Sequence, residues 1–325
     1  MIKNILVILL ITLRGLAFGQ QEAQYSNYQM NNFMLNPAVA GSYTYWNAKI
    51  GYRTQWVGME GGPQTMFASV QGPLTTPKMK KRNRRGPKSP ISHGLGGSVS
   101  YDQAGAISYS AFSGTYALHS KLNRSFTLSL GASFGMKEFR LDGTQLKFVH
   151  KLDDPELSNS IYSDIVPDMN IGLWLYSDKM FFGASARQVL QSGLTIESGE
   201  SVIGNDYSKL YNHYFITAGT KLDLNPDWSF VPSVMVQSVR PAPIQVDLNG
   251  TFWFKEEIGL GFSYRHLDAV YVIVEYVYDR KFEFSYAFDL TLSELANYNN
   301  GTHEIIVGYR WGMPNRKVMC PAKFW

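Results

Sequence analysis

The sequence predicts an all-β transmembrane barrel of about fourteen antiparallel strands, and three observations point there. An export signal opens the chain. The remainder has no run of about 18 apolar residues that could form a spanning helix. Apolar residues instead recur with period two, the mark of strands. Composition agrees, since aromatic residues reach 14% against only 17% charged, a mix suited to strands rich in Tyr, Phe, Val and Thr.

The signal occupies residues 1–19. Lys3 gives a positive start, Ile5 to Leu13 is a short apolar run ended by Arg14, and Ala17-Phe18-Gly19 is a small-residue cleavage site before Gln20. No Cys near that site offers a lipid attachment point, and the single Cys320 cannot form an internal disulfide. Stability must therefore come from a closed hydrogen-bonded sheet or a large core. Residues 20–43 read as a periplasmic or lumen-entering lead, and 44–325 as the barrel with a C-terminal tail.

The strand signal is cleanest in the second half. Ile258, Leu260, Phe262 and Tyr264 alternate with Gly259, Gly261, Ser263 and Arg265. Val270, Val272, Val274, Tyr276 and Tyr278 share one face opposite Glu275. Phe282, Phe284, Tyr286 and Phe288 stand against Glu283, Ser285 and Asp289, and Ile305, Val307, Tyr309 and Trp311 against Glu304 and Arg310. Ten further strands fall near 44–56, 64–74, 91–102, 106–119, 125–138, 168–177, 180–189, 211–223, 227–239 and 243–254. Alternation alone looks the same in a soluble sandwich. The export signal, strands of roughly 9–12 residues and Tyr/Trp-rich ends favour lipid on the apolar face. The expectation is that Val270, Val272, Val274, Phe282, Phe284 and Phe288 face lipid. The charges Arg265, Glu275, Glu283, Asp289, Glu304 and Arg310 then face the lumen, pairing across neighbouring strands or lining a pore.

The connections fit this scheme. Leu122-Asn123-Arg124, Ser177-Asp178-Lys179, Asn225-Pro226-Asp227, Lys255-Glu256-Glu257 and Asp279-Arg280-Lys281 are short turns on the periplasmic side. Longer loops near 141–166, 190–210 and 291–302 lie outside, the usual asymmetry of these barrels. The segment 75–90 breaks the rule. It carries Lys78, Lys80, Lys81, Arg82, Arg84, Arg85 and Lys88 with no acid. The chain is +4 overall; without Lys3 and Arg14 it is +2, and without these seven it is −5. The positive balance is thus one patch. In an exported barrel it is either a solvated loop or a contact for an acidic periplasmic partner or anionic head groups, not a nucleic-acid site.

Little in the sequence suggests catalysis. The six His are scattered without metal-ligand spacing. Asp102, His119 and Ser120 lie on adjacent strands, yet nothing in their spacing places them in hydrogen-bond sequence. Neither a catalytic group, a cofactor nor a metal is expected. The Gly-x-Gly pairs at Gly94-Gly96 and Gly259-Gly261 lie inside strand patterns, where Gly permits curvature or close packing.

One segment, Tyr28 through Asn36-Pro37-Ala38-Val39-Ala40-Gly41, resembles the start of mature proteins in the PorP/SprF family of the Bacteroidetes type IX secretion and gliding machinery. Arg53-Thr-Gln55-Trp56-Val57-Gly58, Gly62-Pro63-Gln64-Thr65 and Pro167 to Tyr176 agree with it, so the resemblance spans essentially the whole mature chain. Gly61-Gly62-Pro63 and Gln71-Gly72-Pro73 depart from the family's common Gly-Ala-Pro and His-x-Pro. The motif residues read as structural: Asn36-Pro37 as a turn, Gly41 as a position of free φ, Tyr52 and Trp56 as interfacial anchors. The resemblance implies an outer-membrane barrel that supports secretion or surface anchoring of a large adhesin-like protein. Its partners would be that protein, other secretion subunits and outer-membrane lipid, contacted through loops 141–166 and 190–210. A diffusion channel for small solutes is the alternative.

Overall fold

The computed structural model describes residues 24–74, 91–145, 161–193, 196–198, 201–203, 210–239 and 242–313. Within them fourteen strands form the barrel: β1 (Trp46–Thr54), β2 (Gln64–Pro73), β3 (Ile91–Ala104), β4 (Ile107–Lys121), β5 (Thr127–Asp142), β6 (Ile161–Tyr176) and β7 (Met180–Arg187), then β8 (His213–Thr220), β9 (Trp228–Val239), β10 (Gln245–Phe254), β11 (Ile258–Arg265), β12 (Ala269–Tyr278), β13 (Phe282–Thr291) and β14 (Thr302–Trp311). Each pairs antiparallel with its neighbours in sequence. β1 and β14 close the ring, with Trp46 opposite Trp311 and Thr54 opposite His303. Closure removes the two free edges that an open sheet would expose, which is what a bilayer requires.

Burial settles which face meets lipid. Val272, Val274, Phe282 and Phe284 are 39–48% exposed, whereas Glu283 and Arg265 on the opposite face are 4% and 1% exposed. Val270 and Phe288 point the same way as the first group and are half-buried. The wall is apolar outside and buries its charges inside. A soluble barrel would do the reverse.

The two mouths differ. One carries the turns 122–126, 177–179, 221–227, 255–257 and 279–281, and is called the turn end here. At that end Lys221 lies 3.5 Å from Asp223 and 2.9 Å from Glu256, and Lys179 lies 3.1 Å from Asp223, linking three successive turns. In the turns of two hairpins, Lys255-Glu256 and Asp279-Arg280 both take positive φ at consecutive residues, matching the twist of the flanking strands. The other mouth is the loop end, where the residues after β7 include a ribbon of Ile196–Ser198 and Ser201–Ile203.

Two boundaries depart from the sequence reading. β5 runs on to Asp142 and β6 begins at Ile161, so the connection read as 141–166 is 143–160. The cause is packing inside the loop-end mouth: Phe139, Val166 and Leu210 form a buried cluster backed by Tyr109 and Leu141, which rewards continued strand pairing where the local charges of Lys137, Glu138 and Arg140 suggest an end.

Candidate functional site

The site is the barrel interior, and the chain's own N-terminal segment fills it. Residues 24–45 thread the lumen from the loop end to the turn end before β1 begins. Of these, Tyr25, Tyr28, Phe33, Met34, Leu35 and Ala38 are all at most 9% exposed. Buried backbone must find hydrogen-bond partners, and the inner wall supplies them step by step.

Near the loop end the Arg265 guanidinium donates to the Gln24 side chain and to the Tyr25 carbonyl, both at 3.1 Å. Glu304 accepts the backbone N–H groups of Ser26 and Asn27 at 2.8 and 3.1 Å. The Ser26 hydroxyl donates to Asp289 at 2.7 Å, and the Asn27 amide to Glu275 at 2.6 Å and Ser285 at 2.8 Å. Half way down, Lys49 donates to the Met30 carbonyl and Tyr28 bonds Ser233 at 2.6 Å. Then come Arg187 to the Met34 carbonyl at 3.1 Å, Ser185 to Leu35 at 2.8 Å, Ser129 to Ala38 at 2.7 Å and His119 to Ala40 at 2.8 Å.

The motif residues build the lower half of this plug. A short helix α1 (Asn32–Leu35) ends at Asn36. The Asn36 side chain caps the following 3-10 turn Pro37–Val39 by accepting the Ala38 N–H at 2.9 Å, and it donates to the Leu173 carbonyl at 2.9 Å. Pro37 starts that turn, where its missing N–H is no loss. Ala38 lies on Gly131, where a Cβ would fall 2.3 Å from the Ala38 nitrogen. Gly41 has φ +77°, and a Cβ on it would sit 2.4 Å from the Gly94 Cα. Backbone therefore passes backbone here, which no larger residue permits. Asn36, Pro37, Ala38 and Gly41 thus supply the cap, the turn and the close backbone contacts of the segment that fills the lumen.

Arg53 has a role that was not read from the sequence. Only 2% exposed, it bonds Ser26 and lies 3.0 Å from Asp289 and 3.4 Å from Glu304, so one cation joins plug and wall. The lumen charges take several kinds of partner. Of the six, Arg310 and Glu283 pair with each other. Arg265 instead grips Asp247, 2.9 Å away and directly opposite in register, while Glu275, Asp289 and Glu304 bind the plug. Nor is the interior purely polar: Phe67, Trp174, Phe181, Trp253 and Ile306 point inward and are buried.

Gln55, Trp56, Gly62 and Pro63 lie in the loop between β1 and β2, at the loop end. The Gln55 N–H donates to the Pro63 carbonyl at 2.8 Å, Trp56 has φ +54°, and a Cβ on Gly62 would meet the Gln55 carbonyl at 2.7 Å. Lys78, Lys80, Lys81, Arg82, Arg84, Arg85 and Lys88 lie outside the described residues. Asp102 and His119 do not meet: Asp102 is opposite Tyr109, ten positions along β4 from His119, or about 33 Å at strand rise.

A closed antiparallel sheet, apolar outside and charged inside around its own N-terminal segment, defines a plugged outer-membrane β-barrel. The chain belongs to the PorP/SprF family, described as type IX secretion system membrane proteins, whose family model matches residues 17–309. Among solved structures it is similar to a deletion mutant of the TodX monoaromatic hydrocarbon channel, with 11% identity, TM-score 0.50 and coverage of 90% of this chain and 95% of that one. The Pseudomonas putida toluene transporter TodX is also similar, with 11% identity, TM-score 0.45 and coverage of 90% and 95%. A Pseudomonas aeruginosa FadL homologue gives 8% identity, TM-score 0.45 and coverage of 85% and 91%. No curated protein sequence matches.

Proposed function

We propose that this barrel supports secretion or surface anchoring of a large adhesin-like protein of the type IX system, by binding and not by catalysis. The supporting observation is the filled lumen. Among the described residues the wall's inner charges are committed to its own segment, as with Glu275, Asp289 and Glu304, or to one another, as with Arg310 and Glu283, which favours binding over conduction. Recognition then falls to the loop end, where β5 and β6, 16 residues each, rise past the roughly 9–11 residues that a bilayer needs and carry the 143–160 connection, with the 190–210 loop between β7 and β8 packed on them through Leu210. Loops held on a rigid scaffold are the usual place for binding residues. Deleting 194–209 from the 190–210 loop, which keeps Leu210 against Phe139 and Val166, should leave a folded barrel in the outer membrane and release the secreted partner from the cell surface, as read by surface immunoblot. A partner retained at its normal level overturns the assignment to this loop.

A further inference from the structure

Beside the loop-end mouth, on the outer wall, three strands pass from an apolar to an uncharged polar surface in register. Ile50, Ala68 and Val99 lie opposite one another on β1, β2 and β3. One step towards the loop end the outward residues are Tyr52, Met66 and Tyr101, and one step further Thr54, Gln64 and Gln103. The Tyr101 hydroxyl donates to the Gln103 amide oxygen at 3.0 Å and the Tyr52 hydroxyl to that of Gln64 at 3.4 Å. Tyrosines with apolar rings against lipid and hydroxyls towards water mark the membrane interface, so Gln64 and Gln103 stand at the level of the lipid head groups.

A cavity of about 280 Å³ opens at that level. The β1–β2 loop roofs it and is fixed on both sides: the Val57 N–H donates to the Gly301 carbonyl at 2.9 Å and the Gly105 N–H to the Gly61 carbonyl at 3.0 Å. Its lining includes Gln55, Gln64, Gln103 and Gln145 with Thr54 and Trp56, and among the described residues no lining residue is charged. Gln64 and Gln103 accept from the tyrosines, and Gln103 and Gln145 donate to Gly105 and Asp142. A primary amide has two N–H donors and an oxygen with two lone pairs, so capacity remains on each for a hydroxyl-rich ring, and an indole beside them supplies a flat apolar face. An ammonium or phosphate would find no counter-charge in the lining.

We propose that this rim cavity binds the sugar head of a glycolipid whose acyl chains lie along the outward faces of β1 to β3. The site is separate from the plugged lumen, and it would fix the barrel's β1–β3 side against the leaflet at the loop end. The ligand is neutral in its bound portion and held by hydrogen bonds, so its retention should depend little on salt, unlike a head group held by charge.

The test uses the full mature barrel in nanodiscs doped with a monogalactosyl diacylglycerol, or with phosphatidylcholine of the same acyl chains, and counts bound lipid by native mass spectrometry. Wild type should retain the glycolipid at least tenfold over the phospholipid. Gln64→Leu with Gln103→Leu should remove that preference while the heat-induced shift on gels shows an intact barrel. A third arm adds free methyl galactoside to the glycolipid-loaded barrel, and weak displacement is expected because the acyl chains contribute. Equal retention of both lipids, an unchanged preference in the double variant, or free sugar binding as tightly as the glycolipid overturns the proposal. If the double variant fails to fold, Gln145→Leu, which lies beyond the strands, gives the same reading.

Discussion

Replacing Arg53 with Leu should destabilise the folded barrel by about 3–5 kcal/mol, the cost of stranding buried charge when one partner is removed. Arg53 is the cation between Asp289 and Glu304, and these three residues are 1–3% exposed. Leu fills part of the volume but leaves two carboxylates facing each other in the lumen. Glu304 would also be drawn away from the Ser26 and Asn27 N–H groups it accepts, so the upper plug should loosen along with the wall. Adding Asp289→Asn and Glu304→Gln to Arg53→Leu should recover much of the loss, because the neutral amides need no compensating cation while their oxygens still accept from Ser26 and Asn27. Arg53→Lys should fall between, keeping the charge without the flat multi-donor head. Denaturant unfolding of the purified barrel measures all three. A loss below about 1 kcal/mol for Arg53→Leu, the scale of a surface pair, would contradict the buried bridge.

Gly131→Val should unseat the lower plug without opening the wall. The first atom of the new side chain falls 2.3 Å from the Ala38 nitrogen and 2.5 Å from its Cα, a distance that neither backbone nor rotamer change can absorb locally. Overpacking of this kind costs roughly 1–3 kcal/mol and more where backbone is the obstacle. Gly131 faces inward on β5 and the Ser129 hydroxyl holds the Ala38 carbonyl beside it, so that bond should be lost too. The strand pairing of β5 with β4 and β6 does not depend on the missing side chain. The expected result is a barrel that still shifts on heating but whose segment 24–41 becomes accessible to added protease. A segment as resistant as in wild type would show that 36–41 does not sit where the structure puts it.

What was legible in the sequence follows from range. Period-two alternation is local, and it located all fourteen strands and the lipid-facing side, because Val272, Val274, Phe282 and Phe284 repeat within single strands. The Asn36-Pro37 turn was readable for the same reason. The plug was not. Residues 24–35 show no strand or helix period, and the bonds that hold them are long-range, such as Ser26 to Glu304 across 278 positions. The lumen charges announced that something polar was inside, but their partners could not be read off. Asp247 pairs with Arg265 only once the β10–β11 register is known, and Arg53, though part of the family motif, gave no hint that it faces inward to Asp289. The ends of β5 and β6 were missed because their extension depends on Leu210, which arrives from a different loop.

The central claim is a membrane barrel closed by its own N-terminal segment, and single-channel recording of the purified mature barrel in planar bilayers tests it most directly. Insertion should be detectable, yet the wild-type barrel should hold a quiet baseline under applied voltage, while Gly131→Val should show open steps as its lower plug loosens. Steady, long-lived open conductance from the wild type would contradict the claim and restore the diffusion channel.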